Sequence, residues 1–169
     1  MWAESAGQTR AGRLPKPASG AEMSRAQECA RRDAKTQRES QTMTENEIGT
    51  IVVDAGVQVH REIGPGLLET VYEIVLAREL HERGLSVERQ VPIAIEYKGI
   101  RFDEAFRADL LVERKVIVEL KSVEHVTPAH KKQIQTYLRL TGCRLGYLLN
   151  FGEALMKQGI TRAVNGLPE

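Results

Sequence analysis

The sequence predicts an α/β domain with a mixed central sheet flanked by helices. Two observations predict it. Apolar residues recur at helical spacing over 44–83, alternate with period two over 91–121, return to helical spacing over 127–140, and end in a short apolar stretch at 144–150. Within this, Val116-Ile117-Val118 is an unbroken apolar run, as expected of a central strand covered on both faces. The order is helix, three strands, helix, strand, with one extra N-terminal helix, and helices on both sides of the sheet bury such a pattern.

Each element has its own signals. Thr44-x-x-Glu47 is a capping box, followed by Ile48, Val52, Ala55 and Val59 on one helical face. Gly64-Pro65-Gly66 ends that helix and turns the chain. A second helix is expected from about Leu67 to Arg83, burying Leu68, Val71, Tyr72, Val75, Leu76 and Leu80, with Gly84 as its cap. Val91, Ile93, Ile95 and Tyr97 alternate as a strand, and Lys98-Gly99 makes a turn. Phe106–Val112 and Val116–Lys121 are the next strands. Thr127-Pro128 opens the last long helix, which runs to about Leu140 and is closed by Gly142. Arg144–Asn150 is the final core strand, and Gly159–Val164 an additional edge strand.

The 169 residues suffice for one ordinary domain. The expected domain spans 44–169. Residues 1–43 hold few large apolar side chains and are expected to be a disordered leader, with Met43 a candidate start of the functional protein. The leader carries eight Lys/Arg and five Asp/Glu, the remainder sixteen and eighteen, so the domain is slightly acidic. That excludes a generally basic nucleic-acid binder; a grip on a polyanion must come from a local patch or a bound cation. Two cysteines, Cys29 and Cys143, imply no disulfide framework, and no His/Cys cluster has zinc spacing. No apolar run reaches the length of a membrane span and no secretory signal is evident, so the expected location is the cytoplasm.

Arg107–Lys121 reads RADLLVERKVIVELK, two strands folded back on each other. Asp109, Glu119 and Lys121 interrupt an otherwise aliphatic hairpin, a costly arrangement unless they pair or bind a cation. Glu119 and Lys121 share a face. A three-residue loop, Glu113-Arg114-Lys115, sets Asp109 opposite Glu119. A two-residue loop sets it against Val118, and a bulge is then needed to recover the site. In the right register, Asp109 and Glu119 are hard oxygen ligands suited to Mg²⁺, with Mn²⁺ as an alternative. Lys121 would orient a nucleophilic water or stabilise charge on a phosphate. The competing reading is a plain cross-strand ion pair.

Two further groups are candidates. His130, Gln133 and Tyr137 form one helical stripe. Gln133 is placed to hold a water or phosphate oxygen near the metal, or else to be a solvated helix residue. Glu69 suits a helix start through the helix dipole and could also reach the metal as an extra ligand. His60 is a weaker candidate, and Lys131 and Lys132 read chiefly as a solvated face.

Gly66-x-x-Glu69-x-x-Tyr72, Arg107-Ala108-Asp109-Leu110-Leu111-Val112 and Val118-Glu119-Leu120-Lys121 together resemble the GxxExxY proteins, grouped with the PD-(D/E)xK nuclease superfamily. The resemblance covers about His60 to Phe151. It implies the restriction-endonuclease-like αβββαβ core. It places the acidic pair on Asp109 and Glu119, the lysine on Lys121, the first-helix acid on Glu69 and the following-helix glutamine on Gln133. Ala108 stands where many members have proline. The expected function is Mg²⁺-dependent hydrolysis of DNA or RNA phosphodiesters by an activated water. The alternative is a catalytically silent interaction or scaffold module of the same fold, able to form a homodimer through an edge strand.

Overall fold

Thr44 fixes where the first helix begins. Its side chain accepts from the Glu47 amide, and its own amide donates to the Glu47 carboxylate at 2.7 Å. The computed structural model describes residues 43–167. The expected leader, Met43 aside, and Cys29 lie outside the described residues. Helix α1 (Glu45–Ile63) buries Ile48, Val52, Ala55 and Val59, the predicted stripe. Gly64 and Gly66 then take φ of 69° and 99°, which glycine adopts at little cost.

Helix α2 (Glu69–Glu82) starts later than expected. Leu68 is its extended N-cap residue and is exposed, as is Val71, so neither belongs to the core. The buried face is instead Tyr72, Glu73, Leu76, Ala77 and Leu80. It is rotated toward Glu73 because Arg89 and Gln90 reach that carboxylate from the sheet. Tyr72 locks the preceding turn. Its hydroxyl donates to the Gly64 carbonyl at 2.7 Å and accepts from the Leu67 amide at 3.1 Å, while its ring stacks on Phe151 at 4.3 Å.

Five strands follow: β1 (Val87–Tyr97), β2 (Ile100–Val112), β3 (Val116–Lys121), β4 (Leu145–Asn150) and β5 (Ile160–Val164). They lie in that order across one mixed sheet; β3 and β4 are parallel and the other pairs antiparallel. Helix α3 (Pro128–Thr141) makes the crossover between the parallel strands, and a short helix α4 (Met156–Gly159) leads into β5. The capping box at Thr127 and left-handed Gly142 bound α3 as predicted. Strand β2 begins earlier than expected because Ile100 pairs with Tyr97 across the Lys98-Gly99 turn, extending the β1–β2 hairpin as an arm. The arm leaves Tyr97, Ile100 and Phe102 exposed.

The sheet separates two apolar layers. Val116, Val118 and Leu120 face α1 and α2 with Leu76, Leu80 and Phe151; Ile117 faces α3 with Ile134, Leu138 and Leu148. Strands β3 and β4 are buried almost throughout, which is why β3 reads as a continuous apolar run. Among the described residues, no helix is long and apolar enough to cross a membrane.

Candidate active site

The turn between β2 and β3 decides whether the hairpin acids meet. The Lys115 amide donates to the Val112 carbonyl at 3.0 Å, and Glu113 and Arg114 both have positive φ, the pattern of a two-residue primed turn. Val112 nevertheless pairs with Val116 and Leu110 with Val118, so Lys115 is the extra residue. The paired register ends at Leu110 and Val118, and the next residue on each strand is Asp109 and Glu119, close enough for their charges to interact. The Asp109 carboxylate bonds to β3 itself: Oδ2 accepts from the Leu120 amide at 2.8 Å.

Lys121 Nζ donates to Glu119 Oε1 at 2.8 Å. Glu119 is only 2% exposed, and its other oxygen, Oε2, is buried with no hydrogen-bond partner. A buried, unpaired carboxylate oxygen is expensive, and such exceptions call for an explanation. Burial, then the neighbouring charge of Asp109, pushes the Glu119 carboxyl up to about 7, against the pull of Lys121. Burial likewise raises Asp109; the Leu120 amide and Lys121 oppose the rise, and Glu73 and Glu69 add to it. Burial alone would lower the Lys121 ammonium, but its bond to Glu119 and the surrounding acids hold it above its ordinary value.

Glu69 is brought to the same edge. Its Oε1 accepts from the Ser122 amide at 3.1 Å, one residue beyond Lys121, and Ser122 Oγ donates to the Leu67 carbonyl at 2.7 Å. Asn150 pins that segment from β4: Oδ1 accepts from the Val123 amide and Nδ2 donates to the Val123 carbonyl, at 3.0 and 2.8 Å. Asn150 is fully buried, and its position at the end of an apolar run was the only trace of this in the sequence.

Gln133 approaches the acids through Tyr137, donating to its hydroxyl at 2.8 Å. Burial raises the Tyr137 hydroxyl, the Gln133 bond opposes this, and Glu119 and Asp109 add to it. His130 is used differently: its ring nitrogen Nδ1 accepts from the Thr127 amide in the helix cap. His60 is not part of the cluster, because its ring bonds the Glu153 carbonyl at 2.8 Å. Lys131 and Lys132 are exposed.

Sequence reasoning missed Glu73 and its partners. Glu73 is 4% exposed, one helical turn beyond Glu69, and accepts from Arg89 Nε at 2.8 Å and Gln90 Nε2 at 2.7 Å. The i, i+4 spacing from Glu69 could have found it. A groove of about 500 Å³ beside the hairpin arm, lined by Ile93, Ile95, Glu96, Arg101 and Leu140, contains none of these residues.

Asp109, Glu119, Glu69 and Glu73 are thus offset by Lys121 and Arg89, leaving an excess of two carboxylates. Among the described residues, no three or more His, Cys, Asp or Glu side chains are grouped so as to hold a metal ion. The buried Asp109–Glu119 pair fits a hard cation that keeps several waters.

The comparison with curated proteins finds no match. Among solved structures, the chain is similar to that described as "Crystal structure of SSO0001", at 19% identity over 83% of this chain and 78% of that one, with a TM-score of 0.35. The family model for the PD-(D/E)XK nuclease superfamily matches residues 46–163. That span contains every strand of the sheet except the last residue of β5, together with the acids and lysine at its centre, and the chain belongs to the PD-(D/E)XK nuclease superfamily.

Proposed function

We propose that this chain is a nuclease that hydrolyses DNA or RNA phosphodiesters with a divalent cation, Mg²⁺ or Mn²⁺. The observation that carries the reading is Glu119 Oε2, a buried carboxylate oxygen without a partner on the strand next to Asp109. Asp109 and Glu119 are the residues that would hold the cation, with Glu69 as a further donor from the start of α2. When bound, such an ion supplies Lewis-acid polarisation of a phosphoryl oxygen and a more acidic water.

The remaining work falls to the chain's own side chains. Lys121 Nζ is fixed on Glu119 and keeps donors free for a phosphate oxygen or the attacking water. Its raised pKa keeps it charged at neutral pH, as a point charge beside a developing pentavalent phosphate must be. Tyr137, with Gln133 behind it, offers a neutral hydroxyl on the α3 side. With a slightly acidic domain, attraction for the substrate rests on the cation and on Lys121 rather than on a basic face. A cytoplasmic setting, where nucleic acids and Mg²⁺ are both at hand, suits this chemistry.

The test is incubation of the purified chain with single- and double-stranded DNA and RNA, with Mn²⁺, with Mg²⁺ and with chelator. Cleavage that needs the ion and disappears in Asp109→Ala and Lys121→Ala supports the proposal. Equal cleavage by wild type and Asp109→Ala refutes it. The second reading, a silent interaction module, draws on the exposed Tyr97, Ile100 and Phe102 of the arm; absence of any cation binding would favour it.

A further inference from the structure

Gln90 departs from the strand that contains it. It lies within β1 yet has φ of 52°, a left-handed conformation that a glutamine adopts only under constraint. On either side the β1–β2 pairing is regular, Arg89 with Leu110 and Val91 with Ala108. The register therefore sets Gln90 opposite Asp109, and the ladder steps over that one position. Both strands change sides there. Ala108 and Leu110, two residues apart, belong to opposite apolar layers, as do Val87 and Ile93.

What the break gains is the placement of one amide. Gln90 Nε2 donates to Glu73 Oε2 at 2.7 Å and lies 3.4 Å from Asp109 Oδ1. The short bond anchors the amide to a buried acid that Arg89 also holds. The longer contact, at the outer limit of a hydrogen bond, sets the same amide beside Asp109 Oδ1. Without that donor, two carboxylates would face each other with nothing between them.

We infer that Gln90 is a positioning residue, held in a strained conformation so that its amide stands between Glu73 and Asp109 and keeps Asp109 turned toward β3. The consequence for cation binding rests on the proposed function; the positioning itself does not. It has its own reporter in the metal-free protein, the Leu120 amide, whose bond is to Asp109 Oδ2. The Phe151 amide, which donates to the Lys121 carbonyl at 2.7 Å, is a nearby control that does not involve Asp109.

The experiment is hydrogen exchange on wild type and Gln90→Asn, a shorter amide that tolerates the same backbone but cannot span the gap. Gln90→Gly, which relieves the backbone, is the second variant. The expected result is Leu120 exchange faster by about tenfold or more in both variants, with Phe151 unchanged, and Mn²⁺ bound about tenfold more weakly. Unchanged Leu120 protection overturns the inference, as does equal acceleration at Leu120 and Phe151, which would mark a purely structural role. If wild type binds no Mn²⁺, the cation reading fails, and the exchange result still decides the role of Gln90.

Discussion

The Leu120 amide donates to Asp109 Oδ2 at 2.8 Å, where a regular antiparallel ladder would offer it a backbone carbonyl. One carboxylate therefore closes the sheet and interacts with the charge of the buried Glu119 at the same time. These two duties separate by mutation. Asp109→Asn keeps an oxygen for Leu120 and should fold with near wild-type stability while losing cleavage. Asp109→Ala also loses the bond and should be destabilised by about 1–2 kcal/mol. Denaturant unfolding of both variants checks this; equal stabilities would show that the bond contributes nothing.

Glu119 makes stability depend on pH with a definite sign. Its folded value of about 7 lies above the ordinary 4.5. Below both values the group is protonated in either state. Between them the unfolded chain has released its proton and the folded chain has not, so stability falls as pH rises from about 4.5 to about 7 and then levels off. The loss is on the order of 3 kcal/mol, from roughly 1.4 kcal/mol per unit. Asp109 acts in the same direction from its own lower range. Unfolding in chelator at pH 5 and pH 8 should show a shallower loss in Glu119→Gln than in wild type. Parallel slopes would contradict the assignment.

Lys121 should prove harder to replace than a surface lysine. Lys121→Ala leaves the buried Glu119 without its ion-pair partner and should abolish cleavage. Lys121→Arg keeps the charge but places a broad planar fork where a compact ammonium sits, so cleavage should fall by about tenfold or more. Single-turnover cleavage of the three proteins decides it, and an arginine variant as fast as wild type would show that charge alone is needed.

Tyr72 serves the turn that delivers Glu69. Tyr72→Phe keeps the stack on Phe151 but frees the Gly64 carbonyl and the Leu67 amide. Thermal unfolding should show a cost of about 1–2 kcal/mol. Cleavage should fall less than in Glu69→Ala, because the loosened turn still carries its acid. The reverse order would place Tyr72 itself at the chemistry.

Much of this was legible in the sequence, for local reasons. Thr44, Thr127 and Gly142 announce helix ends through caps that need only neighbouring residues, and the Val116–Val118 run marks a strand covered on both sides. Asp109, Glu119 and Lys121 were visible as polar intrusions. What stayed hidden depends on how elements turn toward one another. Glu73 looks like a surface helix acid until Arg89 and Gln90 arrive from β1. Gln90 carries no local signal for positive φ, since glycine or asparagine would be the usual choice. Leu68 and Val71 fit the helical period, but the helix starts at Glu69 and its buried face is turned toward Glu73. Lys115 reads as part of a three-residue loop, and only the Val112 bond shows a two-residue turn with one residue added.

The account turns on a cation held between Asp109 and Glu119. The most direct test is calorimetric titration of metal-free protein with Mn²⁺ near neutral pH, in wild type and in Glu119→Gln. The account predicts saturable binding in wild type and binding weaker by about tenfold or more in the variant. No binding by wild type, or equal affinity in both proteins, would contradict it.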